Sequence, residues 1–169
     1  MKVFAVCGVS NSGKTTTVER LIAELTARGH RVGSVKYIHC ENFSMDADSS
    51  EDTGRHRAAG SRLISAHAKR ETTLIFPERL PTEKLLRLYR GECDFVVCEG
   101  VSDIELPTIV TAHGKADLVE KWSDRVFCIS GVISASIAEF RGIPAIDATK
   151  NIEGLVDLVE RGVQRFCEG

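Results

Sequence analysis

Val3-Phe4-Ala5-Val6-Cys7-Gly8-Val9-Ser10-Asn11-Ser12-Gly13-Lys14-Thr15-Thr16 is the stretch that decides the fold. Its first five residues are an unbroken apolar run, the mark of a strand buried on both faces. Gly8 to Thr15 then match G-x-x-x-x-G-K-[ST] at every fixed position. Val18, Leu21, Ile22 and Leu25 follow at helical spacing, and Gly29 supplies a stop. Strand, loop and helix are the context the motif needs. Gly8 and Gly13 let the backbone curl so that successive N–H groups point inward at a phosphate. The helix N-terminus adds unsatisfied N–H groups and partial positive charge. Lys14 reaches terminal phosphates, and the Thr15 hydroxyl is a ligand for Mg²⁺. The nucleotide-binding residues of the loop are therefore Gly8, Ser10, Asn11, Ser12, Gly13, Lys14, Thr15 and Thr16. A second lysine near the start of the loop, the signature of one group of partner-switching ATPases, is absent.

Outward from this unit, apolar runs alternate with helical patterns. Strands are expected over Arg31–Ile38, Phe95–Cys98, Leu106–Ala112, Val126–Ile129 and Ile143–Ile146. Helices are expected over Glu51–Ala59, after Pro81, over Ile133–Phe140, and from Ile152, where Leu155, Val156, Val159, Val163 and Phe166 continue one stripe. Ser61–Ala66 and Thr72–Phe76 read as a short hairpin, and Cys40–Ser50 as a loop. This alternation predicts an α/β fold, a mainly parallel sheet with helices on both faces. The length of 169 residues allows one domain, spanning 1–169.

In such a sheet the strand ends after Cys7 and Cys98 share the rim where ligands bind. Glu99 is then placed to hold Mg²⁺ or orient an attacking water. Gly100 behind it predicts a close backbone approach. The segment after the second strand joins the same rim. Lys36, Arg55 and Arg57 are suited to phosphate oxygens, and Asp46 or Asp52 to Mg²⁺. Asp52, Arg55 and His56 share a helix face by their spacing. A charge-rich exposed face explains Arg55 and Arg57 equally well. Glu99 and Asp52 are the candidate catalytic acids and, with Thr15, the candidate Mg²⁺ ligands. Cys40, His39 and His56 meet no spacing rule for zinc. Asp147 follows the last strand and so reaches the rim where a base would lie.

Composition limits the partners. Lys and Arg number 22 against 24 Asp and Glu, for a net charge of −2, which argues against a nucleic-acid binder. No apolar run approaches the ~20 residues of a membrane span. The N-terminal run is too short for a signal peptide, and a cytoplasmic location is expected. The six cysteines form no Cys-x-x-Cys pair, and no disulfide framework is expected.

Gly8–Thr16, Lys36 with His39, Asp46, the run Asp52-Thr53-Gly54-Arg55-His56-Arg57-Ala58-Ala59-Gly60, and Val97-Cys98-Glu99-Gly100 together resemble the molybdopterin-guanine dinucleotide biosynthesis protein B (MobB) family. The resemblance spans at least the first hundred residues, in order. It implies the P-loop NTPase fold and a GTP-binding accessory protein of molybdenum and tungsten cofactor maturation. Such a protein binds GTP with Mg²⁺, hydrolyses it slowly, forms a homodimer and assists the molybdenum cofactor guanylyltransferase. GTP is implied by the family alone, since the Asn-Lys-x-Asp guanine motif is absent. A small-molecule kinase using ATP or GTP is the alternative, with Arg55 and Arg57 as its lid. The segment His39–Gly60 is expected to respond to nucleotide and to present a surface to the partner.

Overall fold

The computed structural model describes residues 1–40, 43 and 52–166. Along the chain β1 (Lys2–Gly8) and α1 (Lys14–Ala27) lead to β2 (Val32–Lys36) and α2 (Asp52–Ala58). The pair β3 (Ile64–His67) and β4 (Thr72–Ile75) precedes α3 (Thr82–Arg87). Then come β5 (Phe95–Glu99), β6 (Thr108–Thr111), α4 (Lys115–Lys121) and β7 (Val126–Ser130). The chain closes with β8 (Glu139–Phe140), β9 (Ile143–Pro144) and α5 (Ile152–Gly162). Most of the expected loop, 41–42 and 44–50, lies outside the described residues.

Five strands form one sheet in the order β2-β5-β1-β6-β7, and every pairing in it is parallel. The alternation of side chains along each strand builds two layers of core. On one face Phe4, Val6, Phe95, Val97, Ile109 and Cys128 pack with residues of α1 and α5. On the other, Val110, Ala112 and Ile129 pack with Leu118 of α4. Burial on both faces is why these strands read as continuous apolar runs. The described residues divide into two compact units, Met1–Tyr37 with the chain from Leu86 onward, and Ile38–Leu85. In the second unit β3 and β4 pair antiparallel, Ile64 opposite Ile75, as the expected hairpin.

The helix expected over Ile133–Phe140 does not form. A single 3₁₀ turn, Val132–Ala135, is followed by β8, which pairs antiparallel with β9. Arg141 at φ 52° and Gly142 at φ 76° make the tight turn between them. Two successive positive φ values suit the right-handed twist of a hairpin. Ile137, Phe140 and Ile143 pack against the α4 side of the core, which satisfies the apolar spacing without a helix. The last strand is accordingly shorter than Ile143–Ile146, and only Ala145 bridges to Ile129. The sequence reading also misses α4. Leu118 is its one buried residue and Val119 is 56% exposed, so no stripe marks it.

Helix α5 docks on α1 through both apolar and ionic contacts. Leu155, Val156 and Val159 are fully buried. Arg28 beside them meets Glu24 at 2.9 Å, and Asp157 and Glu160 at 2.7 Å each. Leu155→Ala should cost about 2–5 kcal/mol, because the cavity lies between two helices and the sheet. Urea unfolding with an unchanged m-value is the measurement, and a loss below 1 kcal/mol by the same rule would contradict this packing.

Candidate functional site

The phosphate loop joins β1, the central strand, to α1, at the C-terminal edge of the sheet. Its backbone requires its glycines. Gly8 adopts φ 154° and Gly13 φ 95°. A Cβ on Gly8 would lie 2.1 Å from the Thr111 carbonyl oxygen. Between them Asn11, at φ 57°, is a non-glycine in the left-handed region, where asparagine is best tolerated.

Tertiary partners hold the loop from beneath. Ser12 is fully buried, its hydroxyl 2.7 Å from that of Thr111 and donating to the Val9 carbonyl at 2.7 Å. The Ser12 side chain therefore braces the loop from inside rather than facing a ligand. The Ser12 carbonyl accepts from Val132 N–H at 3.1 Å. His113 brings its Nε2 within 3.1 Å of the Ser10 carbonyl, while Asp117 accepts from the His113 backbone N–H at 2.9 Å. Thr111, His113 and Gly131 were invisible in the sequence. They come from the ends of β6 and β7 and carry no motif of their own.

Lys14 donates from Nζ to the carbonyls of Gly8, at 3.0 Å, and Val9, so its charge sits within the loop. The first turn of α1 contains no acidic residue to compete with an anion. Glu99, 7% exposed, closes the far side of the site. Parallel register sets Lys36 of β2 beside Glu99 of β5. Lys36 donates to Glu99 Oε1 at 2.7 Å, and the Thr15 hydroxyl donates to the same oxygen at 2.9 Å. Burial raises the Glu99 pKa, but the bonds from Lys36 and Thr15, with the charges of Lys36 and Lys14, outweigh it and leave the carboxyl below its ordinary value. Glu99 is thus an anion held ready beside a helix N-terminus.

The structure brings Lys14, Thr15, Lys36 and Glu99 together in one unit. Thr16 is exposed in the first turn of α1. Asp52, Arg55 and Arg57 form another group, on α2 of the second unit. There Asp52 and Arg55 pair at 3.6 Å, with both side chains well exposed. Asp46 lies outside the described residues. Gly100 is needed for its φ of 71°, not for close approach, since a Cβ there would meet only Tyr37 Cβ at 3.9 Å. Asp147 follows Ile146, whose N–H bonds the Ile129 carbonyl at 2.8 Å, which keeps it on the ligand rim. Its carboxylate accepts from the Thr149 N–H at 2.9 Å and hydroxyl at 2.6 Å, and these bonds lower its pKa. Among the described residues no three His, Cys, Asp or Glu side chains converge as a metal cage would need.

A parallel sheet that presents such a loop from its central strand, with a carboxylate on the neighbouring strand end, defines a P-loop nucleotide-binding protein. Within that class the chain belongs to the MobB family: the family model of molybdopterin guanine dinucleotide synthesis protein B matches residues 3–130. The chain is 25% identical over 147 residues to the probable molybdopterin-guanine dinucleotide biosynthesis adapter protein of Bacillus subtilis, covering 86% of this chain and 85% of that one. It is 27% identical to the corresponding adapter protein of Escherichia coli over 177 residues, covering 96% and 94%. The crystal structure of Bacillus subtilis MobB superposes with a TM-score of 0.77 at 24% identity, covering 98% of this chain and 100% of that one. A MobB homologue from Bacillus stearothermophilus gives 0.71 at 20% identity, covering 95% and 99%. Both structural likenesses speak to the fold.

Proposed function

We propose that the protein binds GTP with Mg²⁺ in the β1–α1 loop and serves as an adapter in molybdopterin guanine dinucleotide synthesis. Its partner in this reading is the molybdenum cofactor guanylyltransferase, and it works in the cytoplasm as a homodimer. The observation that carries the reading is the Thr15–Glu99–Lys36 cluster closing the phosphate loop. Family membership and the adapter names of the relatives support the pathway and favour an adapter over a small-molecule kinase. The two-stranded β3–β4 sheet, beside which no further strand lies among the described residues, supports self-association, because such edges invite pairing.

The residues present fit a nucleoside triphosphate and its metal. Gly8 and Gly13 hold the positive φ values, 154° and 95°, that a phosphate-wrapping loop requires, and the N-terminus of α1 carries no acid. Thr15 Oγ1 and the Glu99 carboxylate are hard oxygen donors 2.9 Å apart, the donor type Mg²⁺ prefers. Lys14, now bonded to loop carbonyls, supplies the charge for terminal phosphates. Lys36 keeps Glu99 ionised and oriented. Thr15 and Glu99 would hold Mg²⁺, which would supply positive charge to offset that of the phosphates. Glu99 positions water beside the site, and in this reading Asp52, Arg55 and Arg57 contribute from α2. Calorimetric titration with GTP and with ATP, with and without Mg²⁺, tests the proposal. Mg²⁺-dependent GTP binding is expected, and a preference for ATP would overturn it.

Hydrolysis by the protein alone should be slow, around 10⁻⁴–10⁻² s⁻¹, the range of unassisted GTPases. Glu99→Gln should lower that rate by about tenfold or more, since the amide neither orients water as well nor carries charge for the metal. Asp52→Asn should act in the same direction. Phosphate release under single-turnover conditions is the readout, and an unchanged rate in Glu99→Gln would remove Glu99 from the catalytic group.

A further inference from the structure

The crossover from β5 to β6 runs through 100–107 without a helix, whereas parallel crossovers usually carry one. An irregular segment lies over this part of the sheet instead, and beside it opens a cavity of about 870 Å³. Cys7 and Thr108 line it from the sheet, on the face that carries α4, since Cys7 pairs in register with Val110. The end of α4 and the connection Trp122–Arg125 form another wall. Every lining residue belongs to the unit Met1–Tyr37 with the chain from Leu86 onward, and none has a part in the nucleotide reading. Helix α1, which follows the phosphate loop, packs on the opposite face of the sheet.

We propose that this cavity binds a flat, uncharged aminoheterocycle of the kind shared by guanine and the pterins, a fused ring with an N–H and an NH₂ side by side on one edge. The hydrogen-bonding groups left free in the lining select this chemistry. Its two cations are already paired within the lining, Lys121 with Glu120 and Arg125 with Glu105, at 2.8 Å each. The Thr108 hydroxyl and the Cys7 thiol give their hydrogens to the carbonyls of Leu106 and Val101, and keep acceptor capacity only. Asp124 has neither a hydrogen bond nor an ion pair with any described residue. Three carboxylates against two cations leave the lining one charge negative. Acceptors therefore dominate, and a complementary ligand is rich in N–H groups. The same charge turns away phosphate esters, a nucleotide carrying this ring among them. A carboxylate offers two oxygens side by side, which match two adjacent donors on a ring edge. Adenine and cytosine set an acceptor beside the amino group and fit Asp124 poorly; the guanine and pterin edges fit it. Trp122, half-buried, supplies the aromatic wall. Arg141 over its ring and Phe140 against it, each at 5.3 Å, hold it in place from the β8–β9 hairpin. Its indole N–H and the hydroxyls of Ser102 and Ser123 have no partner among the described residues and remain for the ring's carbonyl. The volume lies within the range of small-molecule pockets, roughly 300–1,000 Å³. The site does not rest on the function proposed above.

Calorimetry on the full chain, with pterin and guanosine as probes, should show saturable binding. Lumazine and inosine, which lack the amino group, should bind about tenfold more weakly or worse. Whichever of pterin and guanosine binds tighter is the ring the cavity is shaped for. Trp122 is the single tryptophan of the chain, so guanosine stacked on it should quench the tryptophan emission with the same midpoint. Asp124→Asn puts an N–H donor where an acceptor stood. It should reverse the order, so that lumazine binds more tightly than pterin, a switch that damage to the fold cannot produce. Lys14→Ala should leave pterin binding unchanged, and Asp124→Asn should leave binding of Mg²⁺ and GTP unchanged. These two controls keep the cavity apart from the phosphate loop whether or not that loop takes GTP. No saturable binding, equal affinity for pterin and lumazine, or an Asp124→Asn chain with the wild-type preference would overturn the proposal. So would loss of pterin binding in Lys14→Ala, which would place the ring at the phosphate loop instead.

Discussion

Lys14→Ala should abolish nucleotide binding while leaving the fold in place, a loss of about a hundredfold or more in affinity. Lys14 sits at the edge of the loop, partly exposed, and its aliphatic stem belongs to neither core cluster. Among the described residues its ammonium bonds to the Gly8 and Val9 carbonyls. Losing those two bonds costs the folded protein little, because the carbonyls lie where water can replace the donor. Losing the cation costs the bound state much more. A triphosphate brings several negative charges against backbone N–H groups that supply partial charge only, and Lys14 is the one cationic residue between Gly8 and Thr17. Titration calorimetry at fixed ionic strength, with circular dichroism as the check on folding, is the measurement. An affinity within twofold of wild type by the same arithmetic would mean that the loop does not hold the phosphates.

Gly131→Ala should destabilise the protein by about 3 kcal/mol or more and weaken nucleotide binding with it. Gly131 adopts φ 75°, and an added Cβ would lie 2.1 Å from the Ser12 carbonyl oxygen and 2.9 Å from Thr111 Cβ. The left-handed conformation alone costs an alanine about 1–2 kcal/mol. Overpacking against a rigid backbone adds about 1–3 kcal/mol. The only relief is to push β7 away from the phosphate loop. That breaks the bond from Val132 N–H to the Ser12 carbonyl, and Ser12 is the residue whose hydroxyl braces the loop on Thr111. For a chain of this size the melting temperature should fall by roughly 6–12 °C. Gly142→Ala is the control: its φ is 76°, nearly the same, but nothing lies within 4 Å of the added Cβ. Only the conformational cost should appear there. Equal losses at the two positions would show that close packing beneath the loop does not matter.

The contrast between these two positions shows what kind of information each level carries. Lys14 is identified by seven neighbours in sequence, because a loop that wraps a phosphate is a local object. Its glycines, lysine and hydroxyl must stand at set spacings along one strand–turn–helix unit. Glu99 was legible for a related reason. An apolar run ending in an acid and a glycine marks a strand end, and parallel sheets gather strand ends on one rim. The hairpin turn at Arg141-Gly142 was misread for the opposite reason. Ile133, Ile137, Phe140 and Ile143 recur at helical spacing, yet what they satisfy is packing against Trp122 and Ile129, which a hairpin achieves as well.

From the chain alone, then, came the phosphate loop, the buried parallel strands and the acid at the rim. All of them follow from the periodicity of burial and from short-range backbone requirements. Tertiary structure alone decided that Lys36 and Thr15 share one oxygen of Glu99, since strand order 2-5-1 and parallel register put them there. It alone recruited Thr111, His113 and Gly131 beneath the loop, and gathered Cys7, Ser102, Trp122 and Asp124 around one cavity. Contacts between residues tens of positions apart depend on the three-dimensional path of the backbone. Neither spacing nor composition encodes that path locally, so it becomes visible only when the sheet has set which ends meet.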